Sequence, residues 1–417
     1  MDLYPYQKIG ADWLKCRSKA LLYDDPGLGK TRQAIAAWPL DVSGVVVCPA
    51  SVKQVWAQEI AKVRPDIQPF VISGRNKFTL PKNPKEVVIV NYDILPDFPL
   101  SFNVIRKTHL VLDEVHACKS TQSLRSKRVK LLRSIVVASG GNVHGLSGTP
   151  ILSKPEDLWG ILYCLGLEKD AFGNYNNFLR VFAGRRIEFG KRFSKIVWGT
   201  PLPESTHCIA RVALGRKREM VLPDLPTKTY ETYLVEINDT SALDQLGTKD
   251  IYEFLEQPGA LSSTREVICN EKTLSAIPYI TELSKSEPLV IFTTHKRSAE
   301  AIASSFGTVP ITGDTNPGAR VSLINDFQSG KTDIIVGTVL AMGVGVTLTR
   351  SHHVVFINRD WTPALNKQAE DRVCRIGQDK GVLVTDILVN HPVEDIVYKV
   401  LMRKQGIIDG SVEKARQ

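Results

Sequence analysis

Short apolar runs rich in β-branched residues recur along this chain, separated by stretches long enough for a helix. Ala20-Leu21-Leu22-Tyr23, Gly44–Cys48, Val87–Asn91, His109–Leu112 and His144–Ser147 fall in the first third. Leu289–Thr293, Pro310–Thr312, Asp333–Thr338, Val354–Asn358 and Val382–Leu388 come late. Runs apolar at nearly every position predict strands buried on both faces, and the stretches between them predict crossover helices. The fold class is therefore α/β: two lobes, each a parallel sheet with helices on both faces. The middle is richer in aromatic and basic residues, with Leu158-Trp159, Phe172, Tyr175, Phe178 and Phe182 placed as aromatic knobs on helices, and Pro201, Pro203, Pro223 and Pro226 as breakers. The expected division is 1–150 for the first lobe, 151–287 for a mainly helical insertion and linker, 288–395 for the second lobe and 396–417 for a final helix and tail.

Lysine and arginine number 53 against 44 acids, a net charge of +9 that favours an anionic partner such as nucleic acid. The 7 cysteines are scattered, odd in number and without a Cys-x-x-Cys pair, so neither a zinc ribbon nor a disulfide framework is indicated. No signal-peptide pattern opens the chain and no apolar run is long enough to span a bilayer. The expected setting is a reducing cytoplasm or nucleus, neither secreted nor membrane-bound, so the glycosylation pattern Asn238-Asp239-Thr240 carries no meaning. Asp314–Gly318 reads as a Pro-Gly turn rather than a calcium loop, and His352-His353 as strand neighbours pointing to opposite faces.

Asp25-Pro26-Gly27-Leu28-Gly29-Lys30-Thr31 follows one apolar run and precedes the helical pattern Arg32–Ala37. That is the strand–loop–helix setting of a phosphate loop, with glycines closing backbone N–H groups on phosphate oxygens at a helix N-terminus. Lys30 is placed to reach the β- and γ-phosphates, and the Thr31 hydroxyl to bind Mg²⁺. The full pattern wants glycine where Asp24 stands, so a glycine-rich turn that binds nothing is the alternative. The run Leu110-Val111-Leu112 ends in Asp113-Glu114-Val115-His116. Asp113 is placed to hold Mg²⁺ partly through water, and Glu114 to polarise an attacking water. In the late lobe, Arg372 and Arg375 are three apart and are expected to share a helix face. Two guanidinium forks there suit the charge that spreads over a departing γ-phosphate; a solvated surface helix is the alternative.

These residues resemble the Swi/Snf-type ATPases of helicase superfamily two, from Leu3 to about Arg403. Leu3-Tyr4-Pro5-Tyr6-Gln7 is similar to the adenine-reading segment, Asp24–Thr31 to motif I with Asp25-Pro26 where the family usually has Glu-Met, Val47–Ser51 through Trp56 and Glu59 to motif Ia, and Asn91-Tyr92-Asp93 to motif Ib. Asp113–His116 resembles motif II, Leu146–Pro150 motif III, Thr338–Gly343 with Gly345 motif V, and Asp360–Pro363 with Gln368–Gln378 motif VI, including Arg375-Ile376-Gly377-Gln378. Phe172–Phe182 and Arg216–Lys228 resemble the family's protrusion, and Ser153–Leu158 is most similar to the HARP-like annealing-helicase branch. Cys374 and Thr362 depart from the family's usual His and Asn without removing a group the chemistry needs.

The resemblance implies two RecA-like lobes that hydrolyse ATP with Mg²⁺ in the cleft between them and move along double-stranded DNA, forked or partly single-stranded DNA included. It implies ATP contacts from Gln7, Gly27, Leu28, Gly29, Lys30, Thr31, Gly343 and Gly345, and catalytic roles for Lys30, Asp113, Glu114, Gln368, Arg372 and Arg375. DNA contacts are expected from Ser51, Asn91, Thr338 and Trp361, and coupling from Ser147 and Thr149. The basic run Lys119–Arg133, with 6 basic residues and no acid, and the cluster Arg185-Arg186, Lys191-Arg192 and Lys195 are further phosphate-contact candidates. A monomer is expected; protein partners are not legible. Two other functions stand beside this one: a strand-separating DNA or RNA helicase, and a nucleotide-dependent DNA-binding scaffold that does not hydrolyse.

Overall fold

A computed structural model describes residues 3–74, 78–96, 107–189, 193–223, 226–236, 260–343, 346–375 and 377–416. Gly345, Ile376, Lys191, Arg192 and Asn238–Thr240 lie outside these residues. The chain forms two compact units: Met1–Pro223 with Lys404–Gln417, and Asp224–Arg403. Their boundary at residue 403 falls inside the helix Pro392–Ile408.

In the first unit the strands in chain order are β1 (Lys19–Leu22), β2 (Ser43–Cys48), β3 (Gln68–Val71), β4 (Glu86–Asn91), β5 (Thr108–Asp113) and β6 (Val143–Leu146), then the hairpin strands β7 (Arg185–Phe189) and β8 (Phe193–Val197), and β9 (Ala213–Leu214). All but the hairpin join one parallel sheet, ordered β3-β4-β2-β5-β6-β1-β9. Alternate residues of single strands feed opposite cores. Leu21, Val45, Val47, Leu110 and Leu112 belong to one core, and Leu22, Val46 and Val111 to the other. Both faces are covered, which is why these strands are apolar at nearly every position rather than alternating with polar residues.

One face is covered by the helices Pro5–Lys15, Lys30–Ala36 and Lys53–Val63, through Leu14, Ile35 and Trp56. The other is covered by Leu124–Ala138 and Pro155–Leu165. Ser123 caps the first of these by accepting from the Ser126 N–H at 3.2 Å. Asp157 starts the second by accepting the N–H groups of Leu152, Ser153 and Lys154 at 2.7–3.1 Å. The expected aromatic knobs do pack, with Phe178 centred 5.0 Å from Phe172 and 4.8 Å from Phe182.

The second unit holds β10 (Lys228–Val235), β11 (Leu289–Thr293), β12 (Ile334–Thr338), β13 (His353–Phe356) and β14 (Val382–Val389), all parallel, ordered β10-β14-β13-β11-β12. Its strands divide between two cores in the same way, Leu289 and Ile291 in one, Val290 and Phe292 in the other. The stretch 151–287 thus carries, besides helices, a hairpin and one strand of each sheet. β9 is two residues long, and β10 is an edge strand exposed at most positions, so neither has the apolar signature of a buried strand. Pro310–Thr312 reduces to a single bridge between Ile311 and Gly337. Asp314–Gly318 is no simple turn, since Asn316 caps the helix Pro317–Gln328 through the Gly318 N–H at 2.8 Å. His352 and His353 do not diverge. His352 precedes the strand, and both rings meet the Glu287 carboxylate, at 2.8 and 2.7 Å.

Two histidines are buried in the first sheet. The His109 ring stacks edge-on between Trp38 and His144, at 4.5 and 4.7 Å, and neither of its nitrogens has a hydrogen-bond partner among the described residues. Burial holds His109 well below the usual imidazole range and His144 down at about 4. In the unfolded chain both bind a proton below about pH 6.5, while the folded protein binds none until far lower. Stability is therefore expected to fall on acidification from pH 6.5 towards 4, by up to about 1.4 kcal/mol per pH unit for each histidine. Urea midpoints across this range check it, and His109→Leu is expected to flatten the slope.

Candidate active site

The phosphate-loop sequence, the acid pair and the Ser147 turn all leave the sheet at one edge. Leu22 of β1 and Asp113 of β5 both stand in register with Leu146 of β6, so the segments that follow these strands emerge side by side. That edge, at the carboxyl ends of parallel strands, is where α/β sheets bind ligands.

The loop between β1 and the helix Lys30–Ala36 turns on Gly27 and Gly29, at φ 89° and 69°, a region that disfavours side chains. A Cβ on Gly29 would also come within 2.4 Å of the Gln7 side chain. Gln7 lies under the loop and donates to the Leu28 carbonyl at 3.3 Å. Asp24, which replaces the pattern's glycine, is fully buried. Its carboxylate accepts two bonds from Arg216, at 2.9 and 2.5 Å, and one from Gln33, at 2.9 Å. The position tolerates an acid because a buried guanidinium, 192 residues away in sequence, neutralises it.

The Lys30 ammonium donates to the carbonyls of Asp24 and Asp25, at 2.7 and 3.1 Å. Burial lowers its pKa, against the opposing pull of Glu114 and Asp24. Across the edge, Asp113 accepts from the Trp56 indole at 2.7 Å and the Glu114 N–H at 3.0 Å. Burial and the Glu114 charge push the Asp113 carboxyl up to about 6, with the Trp56 bond and Lys30 opposing. From Glu114 a polar chain continues. Nδ1 of His116 lies 3.2 Å from the Glu114 carboxylate and 3.2 Å from the Ser147 hydroxyl, and that hydroxyl accepts the Thr149 N–H at 3.1 Å. Thr31 stands on the first turn of the loop's helix. A hydroxyl and a carboxylate pair on segments that leave the sheet at the same edge are hard-oxygen donors of the kind that suit Mg²⁺.

Ser51 is exposed on a single turn after β2, whereas Asn91 is held by the Lys53 ammonium at 3.3 Å. Much of the basic run Lys119–Arg133 is committed to internal bonds. Arg125 and Arg128 bind Asp93, at 2.7 and 3.1 Å, while Lys130 and Arg133 bind the hydroxyl and carbonyl of Tyr163, at 2.5 and 2.9 Å.

In the second unit, Thr338 ends β12 and opens the short helix Val339–Met342. Gly343 closes that helix where a Cβ would lie 2.3 Å from the Val339 carbonyl. The Trp361 ring carries the Arg265 guanidinium at 4.1 Å. Gln368 is buried on the helix Pro363–Glu370. Arg372 and Arg375 do not share a helix face as expected, because the helix ends before them. Asp371 caps it, and the chain turns so that Val373 and Cys374 enter the core. Arg372 then donates to the Gln368 carbonyl at 3.1 Å, and Arg375 to the Asp371 carbonyl at 3.0 Å and the Thr347 hydroxyl at 3.1 Å.

Sequence reasoning assigned no site role to Arg216, Trp56 or Lys53. Trp56 enters the sequence reading only as part of the motif Ia resemblance; its partner Asp113 and the Asp24 partner of Arg216 are remote in sequence, and no local spacing marks either contact.

The family model of the SNF2-related domain matches residues 6–243, more than half of the chain. The chain belongs to the SNF2-related family. The helicase conserved C-terminal domain matches residues 271–377, and the two domains together indicate a DNA-dependent ATPase. The DNA annealing helicase and endonuclease ZRANB3 of Homo sapiens is 27% identical over 449 residues, covering 100% of this chain and 41% of that protein. A SWI/SNF-related matrix-associated actin-dependent regulator of chromatin, subfamily A-like protein 1, of Xenopus tropicalis is 27% identical over 441 residues, covering 98% and 44%. This SNF2-related chain thus spans less than half the length of these relatives. A Sulfolobus solfataricus SWI2/SNF2 ATPase core solved in complex with dsDNA is 25% identical, with a TM-score of 0.46, covering 100% of this chain and 95% of that one. Each unit carries the parallel sheet expected of its lobe, and no helix among the described residues is long and apolar enough to cross a membrane.

Trp56→Phe removes a donor that favours the charged form of Asp113, so the Asp113 pKa rises. The acid limb of kcat/KM for ATP, near pH 6 if Asp113 sets it, is expected to move up by about one pH unit. A pH–rate profile of the variant beside the wild type checks it.

Proposed function

We propose that this chain hydrolyses ATP in response to DNA and uses the cycle to move along double-stranded DNA. The observation that carries the reading is the convergence at one sheet edge of the Lys30 loop, the Asp113–Glu114 pair and the Ser147–Thr149 turn, joined through His116. Gln7 and the loop backbone of Gly27, Leu28 and Gly29 bind and orient the nucleotide, with Gly343 and Gly345 as further contacts. Lys30 exchanges its two carbonyl partners for phosphate oxygens. Thr31 and Asp113 would hold Mg²⁺, which supplies charge neutralisation at the phosphates when bound. Glu114 orients and polarises the attacking water. The His116 ring, 3.2 Å from the Glu114 carboxylate and hydrogen-bonded to Ser147, gives the Ser147–Thr149 turn a short route for sensing whether that carboxylate is engaged. Gln368, Arg372 and Arg375 present donors to the charge that develops on the transferred phosphoryl group.

Duplex DNA as the track is supported by family membership, by relatives named as DNA annealing helicases and by the net charge of +9. Exposed Ser51, together with Asn91, Thr338 and Trp361, supplies the contacts in this reading. They would grip the backbone without reading sequence, so binding weakens with salt.

Glu114→Gln is expected to retain ATP while stalling turnover, and Arg375→Ala to lower kcat on the order of a thousandfold. Nucleotide-binding titrations and steady-state rates check both. Duplex DNA is expected to stimulate ATPase at fixed salt more than single-stranded DNA or RNA does. Stimulation by single-stranded RNA alone would favour a strand-separating enzyme, and no hydrolysis at saturating duplex would favour a scaffold.

A further inference from the structure

Asp25, at the mouth of the phosphate loop, is 2% exposed and has both carboxylate oxygens engaged. One accepts the Arg218 N–H at 2.9 Å, and the other is bound by the Arg416 guanidinium. Arg416 lies 391 residues further along the chain, with a side chain 0% exposed. The same guanidinium donates to the Tyr23 carbonyl at 3.1 Å and the Gly148 carbonyl at 2.7 Å, and pairs with Glu413 at 3.2 Å. Gly148 lies against the loop. A Cβ there would meet the Pro26 ring at 3.0 Å and the Lys30 ammonium at 3.6 Å. One planar fork therefore ties together the end of β1, the loop that carries Lys30, and the turn after β6.

The segment bearing Arg416 is itself anchored. Ile408 and Val412 are buried in the first unit's core. A buried ion pair is a weak device for stability, since apolar residues of similar volume do as well or better. What it supplies is a fixed geometry, and here that geometry belongs to the phosphate loop.

We propose that Arg416 is a positioning residue for nucleotide binding, holding Asp25 and Gly148 so that the loop is preformed for a triphosphate. The inference rests on the ATP-binding part of the function proposed above. Without Arg416, the Asp25 charge is left buried with its main partner gone, and the loop samples other conformations. Only the binding-ready fraction takes ATP, so apparent Kd and KM rise as that fraction falls. Saturating ATP gathers the population back into the competent form, and kcat is preserved.

The test compares wild type, Arg416→Ala and Arg416→Lys. Kd is measured with a fluorescent ribose-labelled ATP analogue, and kcat and KM with ATP and duplex DNA. Arg416→Ala is expected to raise Kd and KM about tenfold, with kcat within about twofold. Arg416→Lys is expected to fall between, because an ammonium reaches Asp25 but cannot also span two carbonyls. An unchanged Kd in Arg416→Ala, or a fall in kcat at unchanged KM, overturns the proposal; the second pattern is that of a smaller folded fraction. If Arg416→Ala does not fold, Arg416→Lys decides, and binding equal to wild type sinks the idea. A wild type that binds the analogue yet never hydrolyses ATP removes the hydrolysis reading and leaves the Kd comparison standing.

Discussion

Charge withdrawn from water at the carboxyl edge of the first sheet is the constraint around which the rest of that unit is arranged. Desolvating a carboxylate is costly unless a cation and further hydrogen bonds meet it. Asp24 and Asp25 are buried side by side at the end of β1. Each is met by its own arginine, Arg216 and Arg416, drawn from distant parts of the chain. Asp113 and Glu114 differ, because no arginine pairs with Asp113 in the bonds seen here. Its partners are an indole, an N–H and the electrostatic pull of Lys30, and its pKa stays raised. Two acids met by arginines, beside an Asp113 whose carboxyl stays raised, are the contrast between compensated structural charge and the perturbed groups that functional sites favour.

The double-faced sheet makes that edge possible. Because adjacent residues of β1, β2 and β5 feed opposite cores, helices are needed on both sides, and parallel connections bring every crossover back to the same edge. Loop, acid pair and the Ser147 turn therefore gather without any long excursion of the chain. His116 is the smallest element of the design, a single ring between Glu114 and Ser147.

Much of this could be read from residues alone. Val45-Val46-Val47 and Leu110-Val111-Leu112 fixed strands to within a residue or two, since unbroken apolar β-branched runs have few other uses. The glycine spacing before Lys30 and the acids closing β5 located the edge. What stayed hidden depended on long range or weak signal. Arg216 and Arg416 look like ordinary basic residues until Asp24 and Asp25 are found against them. β10 is exposed at most positions and so lacks a buried strand's apolar run, and β9 is too short to have a pattern. The three-residue spacing of Arg372 and Arg375 suggested a helix face, but Asp371 ends that helix, so spacing without a capping argument misplaced both.

The first unit is discontinuous in sequence. Ile408, Val412 and Arg416 leave the ribosome only after the entire second unit has been synthesised. Until then the nascent first unit has a gap in one core, and Asp25 beside the Lys30 loop lacks its arginine. Completion of that core, and of the Asp25–Arg416 pairing beside the Lys30 loop, is thereby made a late event in biogenesis.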